Sequence, residues 1–227
     1  MLSASSFAPS LKPVKGTSRS AAAPLASAFL FPSFRYVPSI PISTPEFEDF
    51  LKAFMLPTKL HSSHDTLTAG AENDLVRVPQ LQDSFTSRKV DEILILICSH
   101  GGRDSRCGIL GPLLKAEFED KLSQQGITCS KDTPTSDVPG DAKLKSQVRS
   151  ARVGLISHIG GHKWAGNVIV YLPPSLTGNA LAGKGIWYGR VGPEHVEGIV
   201  AKTVVEGTVI KDLFRGGIDE KREAIRL

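Results

Sequence analysis

The chain has 227 residues, of which 41% are hydrophobic and 22% are charged, a composition typical of a globular protein with one main core. No apolar run approaches the ~20 residues of a membrane-spanning helix, so the sequence predicts no membrane span. The net charge of +4 arises in residues 1–45, which hold four of the 27 basic residues and none of the 23 acidic ones. The other 23 basic residues balance the 23 acidic ones, and this balance gives no indication of nucleic-acid binding.

Residues 1–45 are rich in Ser and Ala, contain Arg and lack any acid, as is typical of an organelle transit peptide. Six prolines argue against a packed element in this segment. They are Pro9, Pro13, Pro24, Pro32, Pro38 and Pro41. We therefore expect a disordered N-terminal extension that acts as a mitochondrial transit segment, with Arg35–Tyr36 as a suitable processing site. The alternative is a disordered tail of biased composition.

Residues 46–90 are predicted to form a short, partly helical N-terminal region. Thr44 and Pro45 have the residue types of a helix start, an N-cap followed by proline at the first position. The helix is predicted to run to about Met55, because apolar residues recur on one face. These are Phe47, Phe50, Leu51 and Phe54.

The continuous apolar run Ile93–Ile97 predicts a strand that is buried on both faces, and it ends on Cys98. A Gly- and Arg-rich loop of eight residues separates Cys98 from Cys107. Apolar residues then recur every four positions and predict a helix over residues 112–125. The polar segment 128–147 follows as a loop, in which Cys129 has no ligand-like neighbour.

The second half of the chain again has a strand followed by a glycine-bearing loop with two candidate ligands. A strand is predicted over residues 151–156, and His158 and His162 follow it on either side of two glycines. Further strands are predicted over residues 167–172 and 186–191. Pro193 is predicted to begin a last helix, and the charged residues 218–227 are predicted to form a peripheral tail. This order of elements predicts an α/β thioredoxin-like layer fold over residues 91–217.

Cys98, Cys107, His158 and His162 are the candidate metal ligands, because each pair lies in a glycine-bearing loop directly after a strand. Thiolate with imidazole suits either zinc or a 2Fe–2S cluster with Cys on one iron and His on the other. The Cys–Cys spacing disfavours structural zinc, whose cysteine pairs are usually two to four residues apart. Three cysteines form no disulfide framework and no C-x-x-C motif, which fits a reducing compartment.

Three stretches carry a resemblance to a known family: CSHGGRDSRCG from Cys98, SHIGGHKWAGNVIVY from Ser157, and WYGRVGPEHVEGIV from Trp187. They resemble the fungal family of altered inheritance of mitochondria protein 32, in the sucrase/ferredoxin-like group of thioredoxin-like 2Fe–2S proteins. The resemblance covers roughly residues 91–217 and implies a thioredoxin-like ferredoxin fold. It also implies cluster ligation by Cys98, Cys107, His158 and His162, a mitochondrial setting and a role in redox or thiol homeostasis. Family members have a longer region before the first ligand cysteine than residues 46–90 provide.

The sequence thus favours an electron carrier rather than an enzyme with its own substrate pocket. We expect it to work in the mitochondrial matrix or intermembrane space with an unidentified redox partner protein and no catalytic residues of its own. One alternative is a structural zinc module that binds a partner protein, and another is a metal-free thiol oxidoreductase that uses Cys98 or Cys129. Arg103 and Arg106 are either donors to the sulfurs or solvated loop residues. Lys163 and Trp164 are either a docking surface or part of the core edge.

Overall fold

In a computed structural model, residues 2–8, 25–64, 70, 74–131 and 149–227 are the part of the chain that the structure describes. Its strands are β1 (Leu25–Leu30), β2 (Arg35–Pro41), β3 (Arg88–Lys89), β4 (Ile93–Cys98), β5 (Thr128–Cys129), β6 (Ser150–Ile156), β7 (Val168–Leu172), β8 (Lys184–Tyr188), β9 (Phe214–Ile218) and β10 (Ala224–Ile225). Its α-helices are α1 (Thr44–Phe50), α2 (Ser105–Gln124) and α3 (Pro193–Ile199). Leu51–Met55 and Val200–Val205 continue α1 and α3 as π-helical turns. Short 3₁₀ turns lie at Ser62–His64, Pro79–Ser84, His162–Trp164 and Lys211–Leu213.

The main sheet has the strand order β10-β9-β8-β7-β4-β6-β5. Its central strand, β4, pairs in parallel with β6 and antiparallel with β7. Strands β7, β8 and β9 follow as antiparallel neighbours. Parallel neighbours need a crossover connection, and α2 provides it between β4 and the pair β5 and β6. This mixed sheet, with helices packed on it, confirms the predicted α/β thioredoxin-like ferredoxin fold class.

Helices α2 and α3 cover one face of this sheet. Leu114, Phe118 and Leu122, spaced four residues apart on α2, are completely buried there. They pack in one cluster with the sheet residues Ile93 and Ile95 and with apolar residues of α3. Five of the six residues of β4 are buried and one is partly buried, so the predicted strand with two covered faces is confirmed.

A smaller sheet, β1-β2-β3, lies against the opposite face. The Phe31 ring, in the turn between β1 and β2, stacks on Tyr171 of the main sheet with ring centroids 3.7 Å apart. In β2, Tyr36 is 1% exposed and Val37 is completely buried. The expectation that residues 1–45 hold no packed element is therefore wrong for residues 25–41. It is also wrong for residues 2–8, where Ser5 forms an antiparallel bridge with Ile156 of β6.

The prolines of this hairpin lie where a strand tolerates them. Pro32 is in the turn, Pro41 ends β2, and Pro38 lies where the pairing of β1 with β2 shifts by a bulge. Proline cannot donate to the ladder, so such positions are the ones it occupies in sheets. The rest of the predicted disordered extension falls largely on residues 9–24, which lie outside the described residues.

The predicted N-terminal helix is present and reaches Met55, in part as a π-helical turn. Helix α2, in contrast, begins at Ser105 and not at residue 112. The reason is an N-cap: the Asp104 carboxylate accepts a hydrogen bond from the Arg106 backbone N–H at 3.0 Å. Pro112, at which the predicted helix began, lies inside the helix.

The C-terminal residues are more than a peripheral tail. Strand β9 pairs with β8, and β10, within the predicted tail 218–227, pairs with β9. The sequence hides β9 because Gly216 and Gly217 weaken its strand signal. Within the predicted loop 128–147, β5 pairs with β6, and residues 132–148 lie outside the described residues. No helix in the described ranges is both long and apolar enough to cross a lipid bilayer.

Tyr171 reports on the contact between the hairpin and the main sheet. Its burial raises the pKa of the phenol from the ordinary value of 10 to about 12. Phe31→Ala opens one face of the ring to water, and we expect the pKa of Tyr171 to fall towards 10. Alkaline titration of the tyrosinate absorbance, with Tyr171→Phe as the reference, measures this pKa.

The matched control is Phe85→Ala, because Phe85 packs against Phe50 and Phe54 away from Tyr171. It should leave the pKa of Tyr171 unchanged. An unchanged pKa in Phe31→Ala would show that the hairpin does not cover Tyr171.

Candidate metal centre

Cys98 lies at the end of β4, where two loops meet. Cys98 is in register with Ile156, the last residue of the parallel strand β6. The Ser99 N–H donates to the Ile156 carbonyl at 3.0 Å, and the Cys98 N–H donates to the Asn167 carbonyl at 3.0 Å. The loop after β4 therefore begins next to both the first and the last residues of the loop between β6 and β7.

Cys107 lies on the first turn of α2, where sequence patterns had predicted a loop. The helix packs very closely on the loop before it: a Cβ at Gly111 would lie 2.4 Å from the Ser99 hydroxyl oxygen. A Cβ at Gly108 would likewise lie 2.8 Å from the Gly101 Cα. This close approach folds the helix start back onto the end of β4, and so brings Cys107 to Cys98.

The two thiols lie together in an apolar environment. The Cys98 side chain is close enough to Cys107 to raise the pKa of its thiol, and Cys98 is 1% and Cys107 2% exposed. They pack with Ile156, Ile159 and Ile169. Burial, and then the neighbouring Cys98, raise the pKa of the Cys107 thiol. Two thiolates in this position would therefore need a nearby positive charge.

The backbone of Gly166 favours a Cys107 thiolate. Its backbone N–H donates to the sulfur and lowers the pKa of Cys107, against the larger effect of burial. Gly166 has φ of +85°, and a Cβ there would lie 2.4 Å from the Val191 carbonyl oxygen. Its own carbonyl accepts from the Val191 N–H at 3.0 Å. Only glycine combines this conformation with such close contact.

The histidines are the other half of the predicted ligand set. His158 is partly buried, two residues after β6, and His162 begins the 3₁₀ turn His162–Trp164. The side chain of His162 lies outside the described part of the structure. Among the described side chains, no three Cys, His, Asp or Glu residues converge as a metal-binding group. The structure thus brings Cys98 and Cys107 together, and ligation by the two histidines stays a prediction.

The arginines of the cysteine loop have different surroundings. The Arg106 guanidinium donates to both carboxylate oxygens of Asp104, at 3.1 and 2.8 Å, and so contributes to the N-terminal cap of α2. This ion pair raises the pKa of Arg106. The Arg103 side chain is exposed, as expected for a solvated loop residue.

Sequence patterns gave no indication of Asn167, Trp187 and Arg215. The Arg215 guanidinium donates to the Asn167 side-chain oxygen, and the Asn167 backbone carbonyl accepts from Cys98. Arg215 also lies over the Trp187 ring, 4.9 Å from its centroid. Because Arg215 comes from β9, far along the chain, no local signal links it to the cysteine loop.

An apolar cavity of about 810 Å³ lies on the hairpin side of the main sheet. Leu96, Ile156 and Ile169 line it and also belong to the cluster around the two cysteines. No cysteine or histidine is among the described residues that line the cavity. The cavity therefore does not expose the thiols to a bound substrate.

Comparison with known proteins gives relatives over most of the chain. The family model of the sucrase/ferredoxin-like proteins matches residues 1–216. Altered inheritance of mitochondria protein 32 of Meyerozyma guilliermondii is 32% identical over 191 residues, 84% of this chain and 56% of that protein. Its counterpart in Clavispora lusitaniae is 36% identical over 174 residues, 74% of this chain and 50% of that protein. The chain thus spans about half the length of these relatives.

Other matches cover shorter parts. Actin patches distal protein 1 of Saccharomyces cerevisiae is 36% identical over 140 residues, 56% of this chain and 38% of that protein. Among solved structures, the thioredoxin-like [2Fe-2S] ferredoxin from Aquifex aeolicus is 18% identical and has a TM-score of 0.34. That match covers 55% of this chain and 97% of the ferredoxin.

The conformation of Gly166 gives a testable consequence for stability. Gly166→Ala adds a methyl group that meets the Val191 carbonyl, so we expect a loss of about 2–4 kcal/mol in the free energy of unfolding. Gly178→Ala is the matched control, because Gly178 has the same φ of +85° with nothing within 4 Å of the added Cβ. The control should lose only about 1–2 kcal/mol, from backbone strain. Urea denaturation measures both, and equal losses would contradict the close contact at Val191.

Proposed function

Because the chain belongs to the sucrase/ferredoxin-like family, in the group of the fungal altered inheritance of mitochondria protein 32, we propose that it is a 2Fe–2S electron-transfer protein. Cys98 and Cys107 would bind one iron, and His158 and His162 the other. The observation that carries the proposal is the pair of adjacent, buried thiols at the edge where the two loops meet. Such a cluster supplies a one-electron couple at this edge of the sheet.

The surroundings of the cysteines suit a metal ion better than free thiolates. Two thiolates buried side by side repel each other and lose their hydration, so an isolated pair is unfavourable. A bound cation offsets both effects and keeps the sulfurs deprotonated. The Gly166 N–H at the Cys107 sulfur is the kind of hydrogen bond that tunes the reduction potential of a metal–thiolate centre.

The metal-free thiol oxidoreductase is disfavoured by the same geometry. A reactive cysteine needs a lowered pKa and access to its substrate. Burial instead raises the pKa of Cys107, and burial with the neighbouring Glu119 raises the pKa of Cys129. Cys98 is 1% exposed. The chain therefore suits electron transfer through a bound centre better than covalent chemistry at a free thiol.

Histidine ligation has a consequence for the driving force. Replacement of two cysteine ligands by histidine on one iron raises the reduction potential from roughly −400 mV to roughly −150 to +300 mV. A carrier in this range accepts electrons from mild reductants, which fits a role in redox or thiol homeostasis with a separate redox partner protein.

We also propose that the protein works in mitochondria, in the matrix or the intermembrane space. The names of its relatives refer to mitochondria, and the acid-free N-terminus carries Lys12, Lys15 and Arg19. Cleavage at Arg35–Tyr36 would cut into β2, where Tyr36 is 1% exposed. We therefore place processing before Leu25, so that the hairpin stays with the folded protein.

Replacement of single cysteines tests the cluster. Cys98→Ser and Cys107→Ser each remove one sulfur ligand, and we expect loss of iron, of acid-labile sulfide and of visible absorbance after anaerobic purification. Cys129→Ser is the matched control and should keep all three. Full absorbance in Cys98→Ser or Cys107→Ser would contradict the ligand assignment. Bound zinc without sulfide in the wild-type protein would favour the zinc module.

A reporter fusion tests the location. We expect residues 1–24, fused to a fluorescent protein, to direct it into mitochondria, because import machinery recognises basic, acid-free segments. The control carries Gln at Lys12, Lys15 and Arg19 and should stay in the cytosol. A cytosolic wild-type fusion would contradict the targeting role of this segment.

A further inference from the structure

Three cations surround one indole ring beside the candidate metal centre. The Arg190 guanidinium carbon lies 4.5 Å from the centroid of the Trp164 ring, and that of Arg215 lies 4.8 Å from it. The Lys163 ammonium lies 5.4 Å from the same centroid. We call Lys163, Trp164, Arg190 and Arg215 the Trp164 surface. Contacts of this kind are favourable, but the three cations also repel each other.

The three cations come from three separate parts of the fold. Lys163 belongs to the loop after β6, Arg190 follows β8, and Arg215 lies on β9. No described carboxylate forms an ion pair with any of them. Glu194, the carboxylate that follows Arg190 along the chain, lies against His195 instead, at 3.5 Å. The fold therefore concentrates positive charge here without neutralising it from within the described residues.

The backbone at Arg190 is strained to place this charge. Its φ is +59°, in the left-handed region that costs a non-glycine residue about 1–2 kcal/mol. Gly189 and Gly192 lie on either side of it, yet the strained position itself carries an exposed arginine. Strain that persists in this way is typical of functional sites.

The Arg215 side chain has more contacts with its neighbours than the exposed Arg190 side chain. It lies between the rings of Trp164 and Trp187 and donates to the Asn167 side chain. Burial lowers the pKa of its guanidinium, which nevertheless remains charged at neutral pH. A half-buried cation in a fixed orientation loses little side-chain entropy when an anion binds to it.

Hydrogen bonds through Asn167 connect the Trp164 surface to Cys98. Asn167, which accepts from Arg215, is the residue whose backbone carbonyl accepts from the Cys98 N–H. Trp164 is the last residue of the 3₁₀ turn that His162 begins. A molecule bound at this surface would therefore lie next to the edge of the sheet that carries the candidate metal centre.

We infer that the Trp164 surface docks an acidic protein, whose Asp and Glu carboxylates pair with Arg190, Arg215 and Lys163. The inference rests on the proposed function in that this protein would be the redox partner. Arginines stacked on an aromatic ring keep their N–H edges available for bidentate carboxylate binding. The same stacking covers the ring faces that a nucleic-acid base would need. Anionic membranes attract clusters of four to eight basic residues, and this surface brings together three.

A binding assay with an acidic peptide tests the inference. The probe is a fluorescein-labelled peptide of alternating Glu and Gly, measured by fluorescence anisotropy, and the comparison peptide carries Gln in place of Glu. We expect the Glu peptide to bind wild-type protein, more weakly at high salt, and the Gln peptide not to bind. Arg190→Gly should weaken the binding about fivefold, the effect of losing one well-placed exposed ion pair.

Arg222→Gly is the matched control. Arg222 also has a positive φ, of +69°, and lies in the turn between β9 and β10. Its positive charge there contributes to lowering the pKa of Arg77. Both variants lose one positive charge and relieve backbone strain, so neither is expected to unfold. Equal weakening by the two variants, or none by Arg190→Gly, would overturn the inference in favour of attraction by net charge alone.

Two further measurements separate the other outcomes. Binding to phosphatidylserine vesicles that depends on Arg190, without peptide binding, would overturn the inference in favour of a lipid surface.

Iron and sulfide are measured in each variant, and Arg190→Gly should keep the wild-type content. A cluster-containing protein that binds no peptide would overturn the docking surface alone. A protein without a cluster whose peptide binding depends on Arg190 would support the docking surface and contradict the proposed electron transfer.

Discussion

The parallel pairing of β4 with β6 is the constraint on which the candidate metal centre depends. Six consecutive residue pairs hold these strands in register, up to Cys98 opposite Ile156. Parallel strands end at the same edge of a sheet, so the loops that follow them must start next to each other. The hydrogen bond from Cys98 to the Asn167 carbonyl then fixes the far end of the second loop at the same place. A shift of this register by one residue would turn Cys98 to the other face of the sheet.

The second requirement is the tight packing of α2 on the loop before it. Residues without side-chain bulk, Gly108 and Gly111, let the helix approach Gly101 and Ser99 closely. The helix start therefore carries Cys107 back to the strand end, and two cysteines separated by eight residues become neighbours. The pair is buried in an apolar cluster, where free thiolates are unfavourable and metal-bound ones are stabilised. In this way the packing of the fold prepares the chemistry of the site.

The sequence predicted the parts of this arrangement that depend on local patterns. The apolar run of β4 identified a buried strand, and the two cysteines after it identified a candidate site. The start of α2 was missed because Pro112 resembles a first helical residue, whereas the Asp104 cap acts eight residues earlier. The hairpin β1-β2 was missed because its prolines, at a turn, a bulge and a strand end, read as breaks in structure. The contacts of Arg215 with Trp164 and Asn167 join distant segments, and no local pattern encodes such contacts.

The assignment of two cysteines to one iron and two histidines to the other is the central claim, and Mössbauer spectroscopy tests it most directly. The protein is expressed with iron-57 and its spectrum is recorded in the oxidised state. We expect two iron signals of equal area, because one iron would have four sulfur neighbours and the other two sulfur and two nitrogen neighbours. In a variant with both His158 and His162 replaced by Cys, the two signals should become alike. A wild-type spectrum with two identical irons, or a protein that binds no iron, would contradict the account.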